Sequence, residues 1–262
     1  MQVGDAQPIA LGPSALAGLA VSAGNNSALS TSTFANVGVG PARWVDADIG
    51  APSAAGLTDS DGATLTVAGS GEIFNTSDQF HFTSQSFVGD CAIVAKVSGL
   101  TGGGAYAKAG VMIRDGSAAN VSYAFAFLTR NTGAGGQGAN FEYRNGTGAS
   151  AQSAASASGV TAPGWVKLVR RGGVFTMFRS SDGVSWVQNG PAVSIAMSTT
   201  AQVGLAVSGG GSSLATAAFT NVSVLPADWS DADIGAPAVA GSARFDGPLG
   251  LGAMARYAVG GE

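Results

Sequence analysis

The nine residues "WVDADIGAP", Trp44 to Pro52, return 185 positions later as "WSDADIGAP", Trp229 to Pro237. A phrase spelled twice at that distance sets the frame for the whole chain, because each copy of a repeat must fold the same way. The likeness extends upstream. Gly18-Leu19-Ala20-Val21-Ser22 answers Gly204-Leu205-Ala206-Val207-Ser208, and Phe34-Ala35-Asn36-Val37 answers Phe219-Thr220-Asn221-Val222. Gln2 and Gly4 answer Gln188 and Gly190. Downstream, "SAAGLTDSDG" after Pro52 answers "AVAGSARFDG" after Pro237, and the final "VGGE" resembles "AGSGE" at Ala68 to Glu72.

The expected organisation follows from this offset. Residues 1–41 read as the C-terminal part of one repeat, residues 42–226 as a complete repeat, and residues 227–262 as the N-terminal part of a third. The repeat also accounts for "IALGPSALAGLAVSAG" near the N-terminus. That stretch imitates a signal-peptide core, but no Lys or Arg precedes Arg43 and Asp5 intrudes, whereas a signal needs a basic leading region.

Composition points to short strands. Charged residues make up 11% of the 262, and Lys and Glu, both good helix formers, occur three times each. Glycine occurs 41 times, which suits many tight turns. With 45% hydrophobic residues the chain is too apolar for a disordered linker. The net charge of −4 and the lack of a basic patch beyond Arg170-Arg171 argue against nucleic acid. No apolar run approaches the roughly 20 residues of a membrane-spanning helix. The single cysteine, Cys91, lies in the apolar "CAIVAKV", a place for a buried inert thiol. An acidic, Lys-poor, Gly/Ser/Thr-rich repeat without disulfides fits a bacterial extracellular or cell-surface protein.

Period-two patterns run the length of the complete repeat. In "YAKAGVMIR", Ala107, Ala109, Val111 and Ile113 take one face, and Lys108, Gly110, Met112 and Arg114 the other. Tyr123, Phe125 and Phe127 share a face in "YAFAFLT". Asn145-Gly146 and Gly172-Gly173 mark hairpins, and Asp115-Gly116 and Asp182-Gly183 mark turns. "NGTGASAQSAASASG" reads as a long loop or an edge hairpin, and the glycine cluster "NTGAGGQGAN" as a second loop. The latter lies between strands, and a phosphate cradle needs a helix N-terminus after it. At least ten short strands and almost no helix predict an all-β, two-sheet antiparallel sandwich or jelly roll.

The strings "YAKAGVMIRDG", "GWVKLVRRGGVFTMFRSSDGVSW", "QVGLAVSG" and "WSDADIGAP" resemble bacterial secreted domains of the concanavalin A-like, laminin-G-like jelly-roll superfamily, nearest to the regulation-of-enolase-type domains. The likeness covers about residues 44 to 225. It implies a jelly roll serving as an accessory module in large secreted or surface proteins, with glycan binding the usual inferred role. It transfers no functional residue, and fold by itself does not specify function.

Hydrolysis of glycans needs two carboxylates roughly 5–10 Å apart. Within the complete repeat Glu72 and Glu142 lie far apart in sequence, Glu142 has no acidic neighbour at i+2, and His81 has no visible triad partner. The expectation is a protein without catalytic residues. The one candidate ion is calcium, which takes oxygen ligands. "VDADIG" and "DSDG" offer Asp46, Asp48, Asp59 and Asp61, and the competing reading is that these side chains cap turns. Of the four tryptophans, Trp165 and Trp186 fall within strands, where core packing is the expectation. Lys108 and Arg114, next to Tyr143 and Arg144, form the candidate ligand-facing surface. Two functions remain open: an adhesive, polysaccharide-binding module, or a structural spacer, stalk or filament whose partners are copies of itself. The border "GPARWVDADIGAP" holds two prolines and no flexible run, so neighbouring units are expected to be held stiffly.

Overall fold

The computed structural model describes residues 20–24, 30–34, 44–61, 63–130, 138–226, 243–245 and 257–259. Trp229, Asp231 and Asp233 of the second motif copy lie outside these residues, as does most of the expected preceding and following repeat.

The described part of residues 42–226 is a two-sheet antiparallel sandwich with no helix. Seven strands form one sheet, in spatial order β10 (Gln152–Ala157), β9 (Ala139–Arg144), β8 (Tyr123–Thr129), β7 (Lys108–Arg114), β15 (Thr200–Ser208), β5 (Phe80–Val88) and β2 (Val45–Ile49). Eight form the other: β13 (Val187–Gln188), β12 (Val174–Ser180), β11 (Gly164–Arg171), β6 (Cys91–Gly102), β16 (Gly211–Pro226), β4 (Thr64–Gly71) and β3 (Leu57–Ser60), with β14 (Val193–Ser194) also on β12. Of the two readings of the Ser/Ala-rich stretch, long loop or edge hairpin, the structure has the hairpin: β10 pairs with β9 at one edge of the first sheet.

Alternation explains the core. β6 buries Cys91, Ile93, Ala95 and Val97, one residue in two, and β11 buries Val166 and Leu168 from the same side. From the facing sheet come Val111, Ile113, Ala124, Ala126, Leu128, Phe141, Val203, Leu205 and Val207. Each large apolar side chain removed from water contributes about 1.5–3 kcal/mol, so this layer carries the stability. Small residues alternate with large ones, which lets the sheets approach closely.

The seven-stranded sheet is apolar on its other side as well. Ile49, Phe80, Phe82, Met112, Tyr123, Phe125 and Phe127 form a second buried cluster there. That face is roofed by the chain itself. Between β4 and β5, residues Glu72 to Gln79 cross over it and bury Ile73. Three short strands form a separate small sheet: β1 (Ser32–Phe34), β18 (Tyr257–Val259) and β17 (Ala243–Phe245), paired in that order.

Candidate functional site

Strand alternation sends Lys108, Arg114, Glu142 and Arg144 to the roofed face, as the reading of "YAKAGVMIR" requires. They are not solvated there. Lys108 is 5% exposed, and Arg114 and Arg144 are fully buried. Tyr143, one residue from Arg144, points the opposite way: its ring packs against the core between the sheets and its hydroxyl donates to Gln152 Oε1 at 2.7 Å. The expected ligand-facing group of four is therefore split between two faces, and its three cations are consumed internally. Arg144 Nη1 and Nη2 donate to Asp78 Oδ2 and Oδ1, both at 2.6 Å, while Nε donates to Ala149 O at 2.9 Å. Arg114 donates to Gly116 O at 2.8 Å and Ala118 O at 2.9 Å. The two guanidiniums thus tie the roof and two neighbouring loops to the sheet. Burial pulls Arg114 down to about 10 and pushes the Asp78 carboxyl above its usual range, against the pull of Arg144.

At the other end of the roof Lys108 gathers carboxylates that sequence distance had separated. Its ammonium lies 2.8 Å from Glu72 Oε1 and 3.3 Å from Glu142 Oε2, and also donates to Ile73 O. Glu142 Oε1 accepts from the Tyr123 hydroxyl at 2.6 Å. Burial raises both the Glu142 carboxyl and the Tyr123 phenol. By distance alone Glu72 and Glu142 could form a hydrolytic pair. By contacts they are the two counter-ions of one buried lysine.

The aspartates proposed for calcium fall into separate places. Asp46 and Asp48 both face His81 across the β2–β5 pair. Asp48 Oδ1 lies 2.8 Å from His81 Nδ1, and both its oxygens accept from Gly56 N. Asp46 Oδ2 is 3.5 Å from His81 Nε2, which also meets Thr58 Oγ1 at 3.1 Å. A methyl group on Gly56 would sit 2.4 Å from the imidazole, so glycine is what allows the ring to plug this edge. Asp61 Oδ1 accepts from Ala63 N and Thr64 N, which holds its carboxyl below the usual range, and Asp59 Oδ1 accepts from Ser60 N. Asp61 thus caps a turn, whereas Asp59 lies in β3. The four aspartates do not gather round one point, and among the described residues no three His, Cys, Asp or Glu side chains converge as metal ligands. This donor set does not fit a calcium cage.

The structure corrects the expectation for Trp165 and Trp186. On β11 the core takes Val166 and Leu168, so Trp165 and Lys167 face outward from the eight-stranded sheet, half-buried. Phe178 pairs with Lys167 on the neighbouring strand, and Lys96 pairs with Trp165 on the other. Trp186 meets Trp165 edge to face, with ring centres 6.4 Å apart. The Lys167 ammonium lies 4.1 Å from the Trp186 ring centre and 4.8 Å from that of Phe178. Partial burial lowers the Lys167 ammonium. The turn before Trp186 is fixed. Asp182 Oδ1 accepts from Val184 N and Ser185 N, each at 2.8 Å, and Gly183 takes a φ of 80°. A Cβ on Gly183 would come within 2.7 Å of the Trp165 ring. Trp44, by contrast, is partly buried and packs against the core.

No family model and no curated protein matches the sequence. Among solved structures the chain is similar to a functionally unknown protein from Saccharomyces cerevisiae, with a TM-score of 0.54 at 15% identity over 70% of this chain and 95% of that one. It is also similar to a xylan β-1,4-xylosidase from Bacillus halodurans, with a TM-score of 0.42 at 16% identity, covering 60% of this chain and 32% of the enzyme. The exoplasmic/lumenal domain of VIP36, in its Ca2+/Man3GlcNAc-bound form, gives 0.44 at 11% identity over 72% of this chain and 86% of that domain. The yeast likeness, at 15% identity, extends to the fold and to nothing more specific.

Proposed function

We propose that the chain is a non-catalytic extracellular module, one unit of a tandem array, that adheres to polysaccharide through the outer face of the eight-stranded sheet. The observation that carries this reading is the half-buried group of Trp165, Phe178 and Trp186 with Lys167 held over two of the rings. The C–H face of a pyranose packs against an aromatic ring, and an ammonium beside it donates to hydroxyls. An aromatic pair already fixed by edge-to-face contact loses little freedom when a ligand arrives. The roofed face supports the non-catalytic part, since Glu72 and Glu142 are committed to Lys108. A shallow platform binds weakly. Tethered units offset this, because a second site sees an effective concentration near the millimolar range and avidity rises roughly 10²–10⁴-fold.

The alternative, a spacer or filament repeat with no small ligand, draws its support from the β1–β18–β17 ladder. A glycan array probed with the chain and with a Trp165→Ala/Trp186→Ala variant separates the two. Saccharide binding lost in the variant is the expected result. Binding that survives the double change removes the platform, and no binding by either protein leaves the spacer.

A further inference from the structure

The eight-stranded sheet is one-sided in charge. Its strands carry Lys96, Lys167, Arg170, Arg171 and Arg179 against a single carboxylate, Asp59, which stands on the edge strand β3. The chain as a whole has the opposite balance, a net charge of −4. On the roofed face Lys108, Arg114 and Arg144 each stand beside a carboxylate. On the outer face of the eight-stranded sheet two cations do not. β6 turns Ile93, Ala95 and Val97 into the core and so turns Lys96 outward, and β11 does the same for Lys167. Both are partly buried, and among the described residues neither forms an ion pair. The carboxylates of the adjoining turns are engaged with backbone: Asp90 accepts from Gly172 N, and Asp182 from Val184 N and Ser185 N.

Register places both cations beside one ring. Lys96 is the direct partner of Trp165, and Lys167 lies two residues further along the same face, opposite Val94. The two lysines are thus diagonal neighbours, about 7 Å apart at Cβ, with Trp165 next to both. Burial alone shifts the Lys167 ammonium, downward, with no carboxylate acting against it. The rings of Phe178 and Trp186 orient that ammonium but supply no negative charge. A cation partly out of water gains more from an anion than a fully hydrated one, because the local dielectric is lower. We infer that the platform selects an acidic polysaccharide: a pyranose stacks on Trp165 while its carboxylate or sulfate group accepts hydrogen bonds from Lys167 and Lys96. This inference rests on the platform reading above and adds to it the charge of the ligand. A neutral pyranose meets the same rings but leaves both ammoniums without a counter-ion. The anionic group is worth about tenfold in affinity, since hydrogen bonds between charged groups are stronger than those to a neutral hydroxyl. The chain is acidic overall, so general attraction of a polyanion does not imitate this selection.

Titration calorimetry on the full chain tests it with four probes: polygalacturonate, its methyl ester, dextran sulfate and dextran. At low salt at least one acidic polymer should bind about tenfold more tightly than its neutral counterpart. The ratio should shrink in roughly 0.5 M sodium chloride, where charges are screened within a few ångströms. A preference confined to the polygalacturonate pair assigns the carboxylate, and one confined to the dextran pair assigns the sulfate. A Lys96→Gln/Lys167→Gln chain should bind the acidic and neutral forms alike, and a Lys96→Arg/Lys167→Arg chain should keep the preference. Equal binding of acidic and neutral forms by the unaltered chain would overturn the inference and leave the platform standing. A preference that survives the change to glutamine, in a chain whose melting is unaltered, would do the same. Binding of none of the four would remove the platform and this inference together.

Discussion

Asp78 and Arg144 meet through two hydrogen bonds of 2.6 Å with neither side chain exposed, 66 residues apart in sequence. The pair anchors the roof over the seven-stranded sheet, and Arg114 stands 3.7 Å from the same carboxylate. Removing the carboxylate leaves two buried guanidiniums facing each other. Asp78→Ala should cost about 3–5 kcal/mol in denaturant unfolding. A loss under 1 kcal/mol would mean that the roof is not held by this contact.

Asp48 accepts from Gly56 N and meets His81 Nδ1 at 2.8 Å. Asp48→Ala should therefore destabilise by about 1–3 kcal/mol through the unpaired groups it leaves behind. Melting of the unaltered chain should be the same with calcium and with chelator. A melting temperature that falls on chelation, in a protein that Asp48→Ala no longer lets respond, would restore calcium.

Glu142 is the buried counter-ion of Lys108, and burial raises its carboxyl. A carboxyl raised in the folded state adds proton-linked stability that is complete below its unfolded value, near 4.5, and is lost as pH rises through the folded value. Glu142→Gln does not titrate. The unaltered chain should gain on the variant as pH falls from neutral toward 4.5. A gap independent of pH, read from urea midpoints at several pH values, would contradict the burial assigned to this group.

Asp182 has the opposite sign. Bonds from Val184 N and Ser185 N lower its carboxyl, so its contribution is present above the unfolded value, 3.8, and fades as pH falls through the lower folded value. The stability difference between the unaltered chain and Asp182→Ala should be constant from pH 7 to 5 and shrink under strong acid. Gly183→Ala needs an unfavourable φ and drives a methyl into Trp165. It should weaken the near-ultraviolet circular dichroism of the Trp165–Trp186 pair and reduce saccharide binding several-fold, with the main sandwich intact by far-ultraviolet signal.

The sandwich was legible because its signal is local. Ala107, Ala109, Val111 and Ile113 alternate within one strand, and the structure puts all four between the sheets. Which strand pairs with which has no such signal, and neither has the roof. The contact between Asp78 and Arg144, or between Glu72 and Lys108, exists only once β4, β5, β7 and β9 are assembled. Sequence distance made Glu72 and Glu142 look unrelated for the same reason. Trp165 could have been placed from its neighbours: Val166 and Leu168 share a parity that Trp165 does not. Aromatic size outweighed that parity in the expectation, and the parity was the better guide. Trp186 follows a turn outside the regular strands, where period two says nothing.

The position of the last two long strands has a consequence for how the unit is made. β15 lies between β7 and β5, and β16 between β6 and β4, so the centre of each sheet is supplied by residues 200–226. On a ribosome, β4 to β7 emerge long before the strands that will separate them. No shortened nascent chain can form either sheet in its final order, and folding dominated by such distant pairings is slow. The two sheets can therefore reach their final order only once residues 200–226 have been made, so the closing of the sandwich is a late event in the synthesis of the unit.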